Sequence, residues 1–156
     1  MTGSGLSQRR PLTRHEVEEA IMRRAIEMVL AGGLAAVLIG NGLAMLCAGP
    51  WWYGVVPGVP ETGPFNAHFV KDIGAAYVIA GVGFAAFAWR PAPMLPALAA
   101  ATGFLTLHAL VHVADAIASP SGVQDVVRDF PGVFLPAIIG LGLCGAYVRS
   151  KESIDA

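Results

Sequence analysis

Charge is what this chain has least of. Only 13% of its 156 residues are Asp, Glu, Lys or Arg, about half the roughly 25% of a soluble domain. So few ionised groups cannot cover a water-facing globular surface. Thiols are scarcer still. Cys47 and Cys144 are the two cysteines, and their separation fits neither a metal site nor a redox pair. No HExxH stretch is present, so the commonest helical zinc signature is absent. The net charge of −1 gives no footing for nucleic acid. A leading signal peptide is not expected, because the first apolar run starts only after a long charged segment. Internal repeats and low-complexity tracts are also missing.

Apolar length takes the place of charge. Hydrophobic residues make up 55% of the chain, and they gather in runs of about 20, the length that crosses a bilayer core. Four spans are predicted, at about 28–48, 66–89, 94–117 and 131–148. The fourth is the shortest and carries Pro136, which should kink it. The second and third are joined by "RPAP" alone and must form a tight hairpin. A Pro/Gly-rich link runs from Gly49 to Phe65, and "SPSGVQDVVRDF" precedes the last span. Glycines such as Gly42, Gly74 and Gly81 suit close helix contact in a bundle, or docking onto another subunit.

Orientation follows from the basic residues. With four spans, Arg9, Arg10, Arg14, Arg23, Arg24, Arg90, Arg149 and Lys151 share one side. Only Lys71 and Arg128 fall on the other. The eight-to-two bias places both termini in the cytoplasm. The expected fold is therefore an all-α, four-helix transmembrane bundle in a bacterial-type plasma (inner) membrane. A cytoplasmic arm (1–27) with a short amphipathic helix leads in, and 149–156 form a cytoplasmic tail. Thr13 and Glu16 have the spacing of a capping box, so that helix should begin near Arg14, with a bend at Gly32–Gly33. Trp51, Trp52 and Tyr53 would form an aromatic belt at the outer boundary.

The few polar groups inside the spans are concentrated at one depth. "LHALVHVADAI" puts His108, His112 and Asp115 at i, i+4 and i+7, on one helical face. At 1.5 Å per residue, His108 lies roughly 21 Å and His112 roughly 27 Å above Met94, in the outer half of the third span. The second span descends past this layer as "NAHFVKDIGAAY", bringing His68, Lys71 and Asp72. Asn41 of the first span reaches the same half. Ionisable groups in a membrane face the bundle interior or a wet cavity, usually with a partner. A convergent outer site is expected, with His108 paired to Asp72.

Several chemistries suit such a site. His68, Asp72, His108 and His112 could ligate a divalent metal, with zinc, iron or copper the ions that match imidazole and carboxylate. Asn41, Lys71 and Asp115 would support them, although Lys71 opposes a bound cation unless a carboxylate pairs it. Haem is a second cofactor reading, held between His68 and His112 on two helices. The plain alternative is an ion-paired cluster that locks the hairpin and binds nothing. Two function classes remain open. One is a small accessory or binding membrane protein that holds a metal ion or polar ligand. The other is a membrane enzyme or redox subunit, haem- or metal-dependent, acting on a lipid or quinone. Partners would be the bilayer itself, other membrane subunits or further copies of the chain.

The charge bias makes a direct prediction. A reporter fused at either terminus should be cytoplasmic, and one inserted at Gly58 should be external. Termini on opposite sides would mean that the spans are miscounted.

Overall fold

The computed structural model describes residues 13–155, with side chains through Lys151. Arg9, Arg10, the rest of the first twelve residues and the end of the tail lie outside the described residues. Among those described the chain is all-helical, with no strand. Four helical stretches are long and apolar enough to cross a membrane, at Arg14–Val55, Ala67–Trp89, Pro91–Ala118 and Gly122–Lys151.

Helix α1 (Arg14–Val55) begins at the expected capping box. The Glu16 N–H donates to the Thr13 hydroxyl at 3.3 Å, and the Glu16 carboxylate accepts from the Thr13 N–H at 2.7 Å. The arm is not a separate helix, however. No Gly or Pro interrupts the chain between Arg14 and Ala31, so α1 runs from the arm into the first span without a break. Gly32 and Gly33 do not bend it either. The kink falls at Ala48, where φ is −135° and ψ 38°. Pro50 is the cause: it offers no N–H to Leu46, and its ring crowds that carbonyl. Beyond the kink the helix resumes through Trp51, Trp52 and Tyr53, so the predicted link shortens from the Gly49 side.

A short 3₁₀ turn, Pro60–Thr62, leads to α2 (Ala67–Trp89). Asn66 caps α2, its side-chain oxygen accepting from the N–H groups of His68 and Phe69 at 3.1 Å. Arg90 alone separates α2 from α3 (Pro91–Ala118). Pro91 disfavours helical torsions at Arg90, which ends α2, and it starts α3 with a φ already suited to the first turn.

The last link contains a helix that the spans did not anticipate. Helix α4 (Gly122–Asp129) is followed by a π turn, Phe130–Phe134, and then α5 (Leu135–Asp155). The Leu135 N–H donates to the Phe130 carbonyl, five residues back. Widening the helix here relieves the clash that the buried Pro136 ring would otherwise make with the turn before it.

Phe84, Phe87, Leu98 and Leu105 form the fully buried centre of the bundle. Its outer surface is also apolar: Leu43, Ile79, Leu107, Leu110, Ile138 and Leu141 are exposed. That inversion of a soluble surface is what a lipid environment selects. Both cysteines are free, and the Cys144 thiol lies 3.7 Å from the Thr102 hydroxyl.

Contact between α1 and α2 is close enough to exclude a methyl group. A Cβ on Gly42 would stand 2.5 Å from the Gly74 carbonyl oxygen and 2.8 Å from a Val78 methyl. Gly40, two residues earlier, has nothing within 4 Å of the same point. Gly42→Ala should therefore destabilise the bundle by about 1–3 kcal/mol through overpacking. Gly40→Ala should be neutral or stabilising by up to about 1 kcal/mol, because alanine favours the helix. Thermal unfolding in one detergent checks both. Equal effects would refute the close α1–α2 contact.

Candidate functional site

The polar face of α4 is built by its period. Val123, Val126 and Val127 fall on one side and are exposed, while Asp125, Arg128 and Asp129 fall on the other. Arg128 Nε donates to Asp129 Oδ1 at 2.7 Å, and Nη2 to Asp129 Oδ2 at 3.2 Å. The remaining arm, Nη1, donates to Asp125 at 2.9 Å. Asp125 in turn accepts from the Ser121 hydroxyl at 3.0 Å. Charge-assisted contacts of this kind are the stronger class of hydrogen bond.

This network reaches α3 through one contact. Nδ1 of His112 lies 2.7 Å from Asp129 Oδ2, with 29% and 12% of the two side chains exposed. A carboxylate can only accept, so Nδ1 carries the proton. One turn deeper, His108 is held by rings. It stacks on Phe104 at 6.1 Å and meets Tyr77 of α2 edge-on at 5.8 Å. The His108 and His112 ring centres are 4.8 Å apart.

The partner expected for His108 is elsewhere. Asp72 pairs with His68 at 3.3 Å, and these side chains are 62% and 91% exposed. Tyr77, which does meet His108, is five residues beyond Asp72, or about 140° further round α2. The helical register thus turns Asp72 and His68 away from α3, and the pairing of His108 with Asp72 does not form. Lys71 and Asp115 are exposed and make no ion pair with another described residue. Asn41 does face the site. Its carbonyl accepts from the Trp52 indole N–H at 2.8 Å. Eleven residues of straight helix would separate them by roughly 16 Å, so the kink at Ala48 is what folds Trp52 back over Asn41.

Together these groups surround a cavity of about 410 Å³. Tyr77, His108, His112 and Asp129 meet the Asn41–Trp52 pair there, between aliphatic walls from Val37, Ile73 and Val133. The α1–α2 loop lies over its rim. Gly58 has φ +85°, and a Cβ there would come within 2.5 Å of the Arg128 guanidinium. The torsion requires glycine, and a side chain there would also displace the Arg128 guanidinium. A second, larger hollow of about 570 Å³ lies between α1 and α5, walled by Ile26, Leu30, Ile139 and Leu143. Its buried carboxylate, Glu27, is paired with Arg24 at 3.5 Å, and Arg24 also donates to the Ala88 carbonyl. The α1–α5 hollow lacks histidines facing one another and reads as helix packing.

The proposed metal set is thus divided: His108 and His112 face the cavity, and His68 and Asp72 face out. Among the described residues no three His, Cys, Asp or Glu side chains form a group that could hold a metal ion. The His68–His112 pairing suggested for haem does not share the cavity. Sequence reasoning missed Asp129 and used Arg128 only to count charge. The alternation of valines and ionisable groups in "GVQDVVRD" was the signal that could have found them. Comparisons with family models, with curated proteins and with solved structures return no match.

Asp129 should therefore matter and Asp72 should not. Asp129→Ala removes the acceptor of two side chains and should destabilise the protein by about 1–3 kcal/mol. Asp72→Ala should leave the melting temperature unchanged within error. The reverse order would return the site to the α2 carboxylate.

Proposed function

We propose that this protein is a small multi-pass membrane binding protein whose cavity holds a neutral, polar-headed lipophile. The observation that carries this reading is the convergence of Tyr77, His108 and the Asp129-oriented His112 on one otherwise aliphatic cavity. Cavities of roughly 300–1,000 Å³ with apolar walls and a few fixed polar groups are the usual form of a small-ligand site. The position of the basic residues supports an orientation with both termini cytoplasmic. The cavity then opens in the outer half of a plasma membrane, and α4 lies along the interface with its valines in the acyl boundary. A lipophile could reach it from the outer leaflet.

The His112–Asp129 pair also favours a second reading. An imidazole oriented by a carboxylate is the arrangement of a general base, so a membrane enzyme acting on a lipid or quinone would use the same residues. Turnover of a bound lipophile, rather than saturable binding alone, distinguishes the two.

Native mass spectrometry of the purified full chain tests the binding reading. Wild type should retain one lipophile per chain, and Val133→Trp, which fills the cavity, should lose it. Equal retention by both would place any bound lipid on the outer surface and refute the cavity as the site. Metal analysis of the same sample should give less than stoichiometric zinc, iron or copper.

A further inference from the structure

We infer that the ligand carries an aromatic hydroxyl, as a phenol or a quinol does, and that this hydroxyl donates to Nε2 of a neutral His112. The inference rests on the binding reading above and gives that ligand a chemical class. Asp129 Oδ2, 2.7 Å from Nδ1, fixes the proton on that nitrogen. In the neutral ring the other nitrogen is then an acceptor only. Among the described residues Nε2 has no hydrogen-bond donor, and it is not sealed off, since no buried polar side-chain atom lacks a partner. It therefore awaits a donor from outside the protein. An ether, an ester or an oxidised quinone brings none.

Charge and shape narrow the class further. The cavity lining contains one cation, Arg128, and one anion, Asp129, and they are bonded to each other. An ionised headgroup would leave water and find no free counter-charge. The cavity that His112 lines also has Trp52, Tyr77 and His108 in its walls, so a flat ring there meets rings from α1, α2 and α3. The Tyr77 hydroxyl also has no partner among the described residues, and it can donate to the oxygen of the same ligand. An aliphatic alcohol would satisfy His112 but lose the aromatic contacts.

Isothermal titration of the full chain in nanodiscs with 4-octylphenol, 4-octylanisole and 1-octanol tests this. Octylphenol should bind one to one, at least about tenfold more tightly than octylanisole, the worth of one well-made hydrogen bond. It should also bind more tightly than octanol. His112→Phe keeps a ring but removes the acceptor, so it should bring octylphenol down to the affinity of octylanisole. Equal binding of octylphenol and octylanisole by wild type would overturn the hydroxyl assignment and leave the cavity reading standing. Equal binding of octylphenol and octanol would overturn the aromatic part. Saturable binding of none of the three, by protein whose helical circular dichroism is intact, would overturn the cavity reading and this inference with it. The wild-type comparison decides even where the variant does not fold.

Discussion

Three separate parts of the chain are held by one carboxylate, Asp129. It accepts from His112 of α3 and from Arg128 of α4, and the Arg128 guanidinium stands against the α1–α2 loop at Gly58. Each of these groups would be costly to leave unpartnered beside an apolar cavity. Satisfying them together fixes α4 over the mouth of the bundle and fixes the tautomer of His112. Without that carboxylate, Arg128 would keep its bond to Asp125 and the more distant charge of Glu61, and His112 would have no hydrogen-bond partner among the described residues.

Two prolines deliver the groups that this contact requires. Pro50 kinks α1 at Ala48, which returns Trp52 to Asn41 and closes one side of the cavity. Pro136 is accommodated by the π turn Phe130–Phe134, which begins immediately after Asp129. Wide turns inside helices are frequent where a protein places functional side chains. Here the widened turn lets α5 enter the bundle while α4 stays against α3. The histidines themselves need no such device, since the i, i+4 spacing on α3 aligns them.

The positions of the helices were legible because lipid leaves a strong mark on composition. Apolar runs of the required length pointed to the helices α2 and α3, with the start of α3 falling earlier than expected, at Pro91, and Thr13 with Glu16 marked the start of α1. Proline misled the reading at one place. Pro50 was read as the edge of a loop, but a proline at the start of a new helical segment is tolerated, and α1 continues to Val55. Pro136 was expected to kink a span, and the irregularity beside it is the widened turn Phe130–Phe134. His108, His112 and Asn41 were found at the cavity. Asp72 was not, because depth along a helix says nothing of direction around it. Asp129 was overlooked because α4, at eight residues, is far too short to read as a span.

The central claim is that Asp129 holds His112 in one tautomer with Nε2 open. Ring ¹⁵N chemical shifts of His112, measured in bilayers above the imidazole titration range, report this most directly. The account predicts a protonated Nδ1 and an unprotonated Nε2 in wild type, with that preference lost in Asp129→Leu. A wild-type ring protonated at Nε2, or one averaging between tautomers, would contradict it.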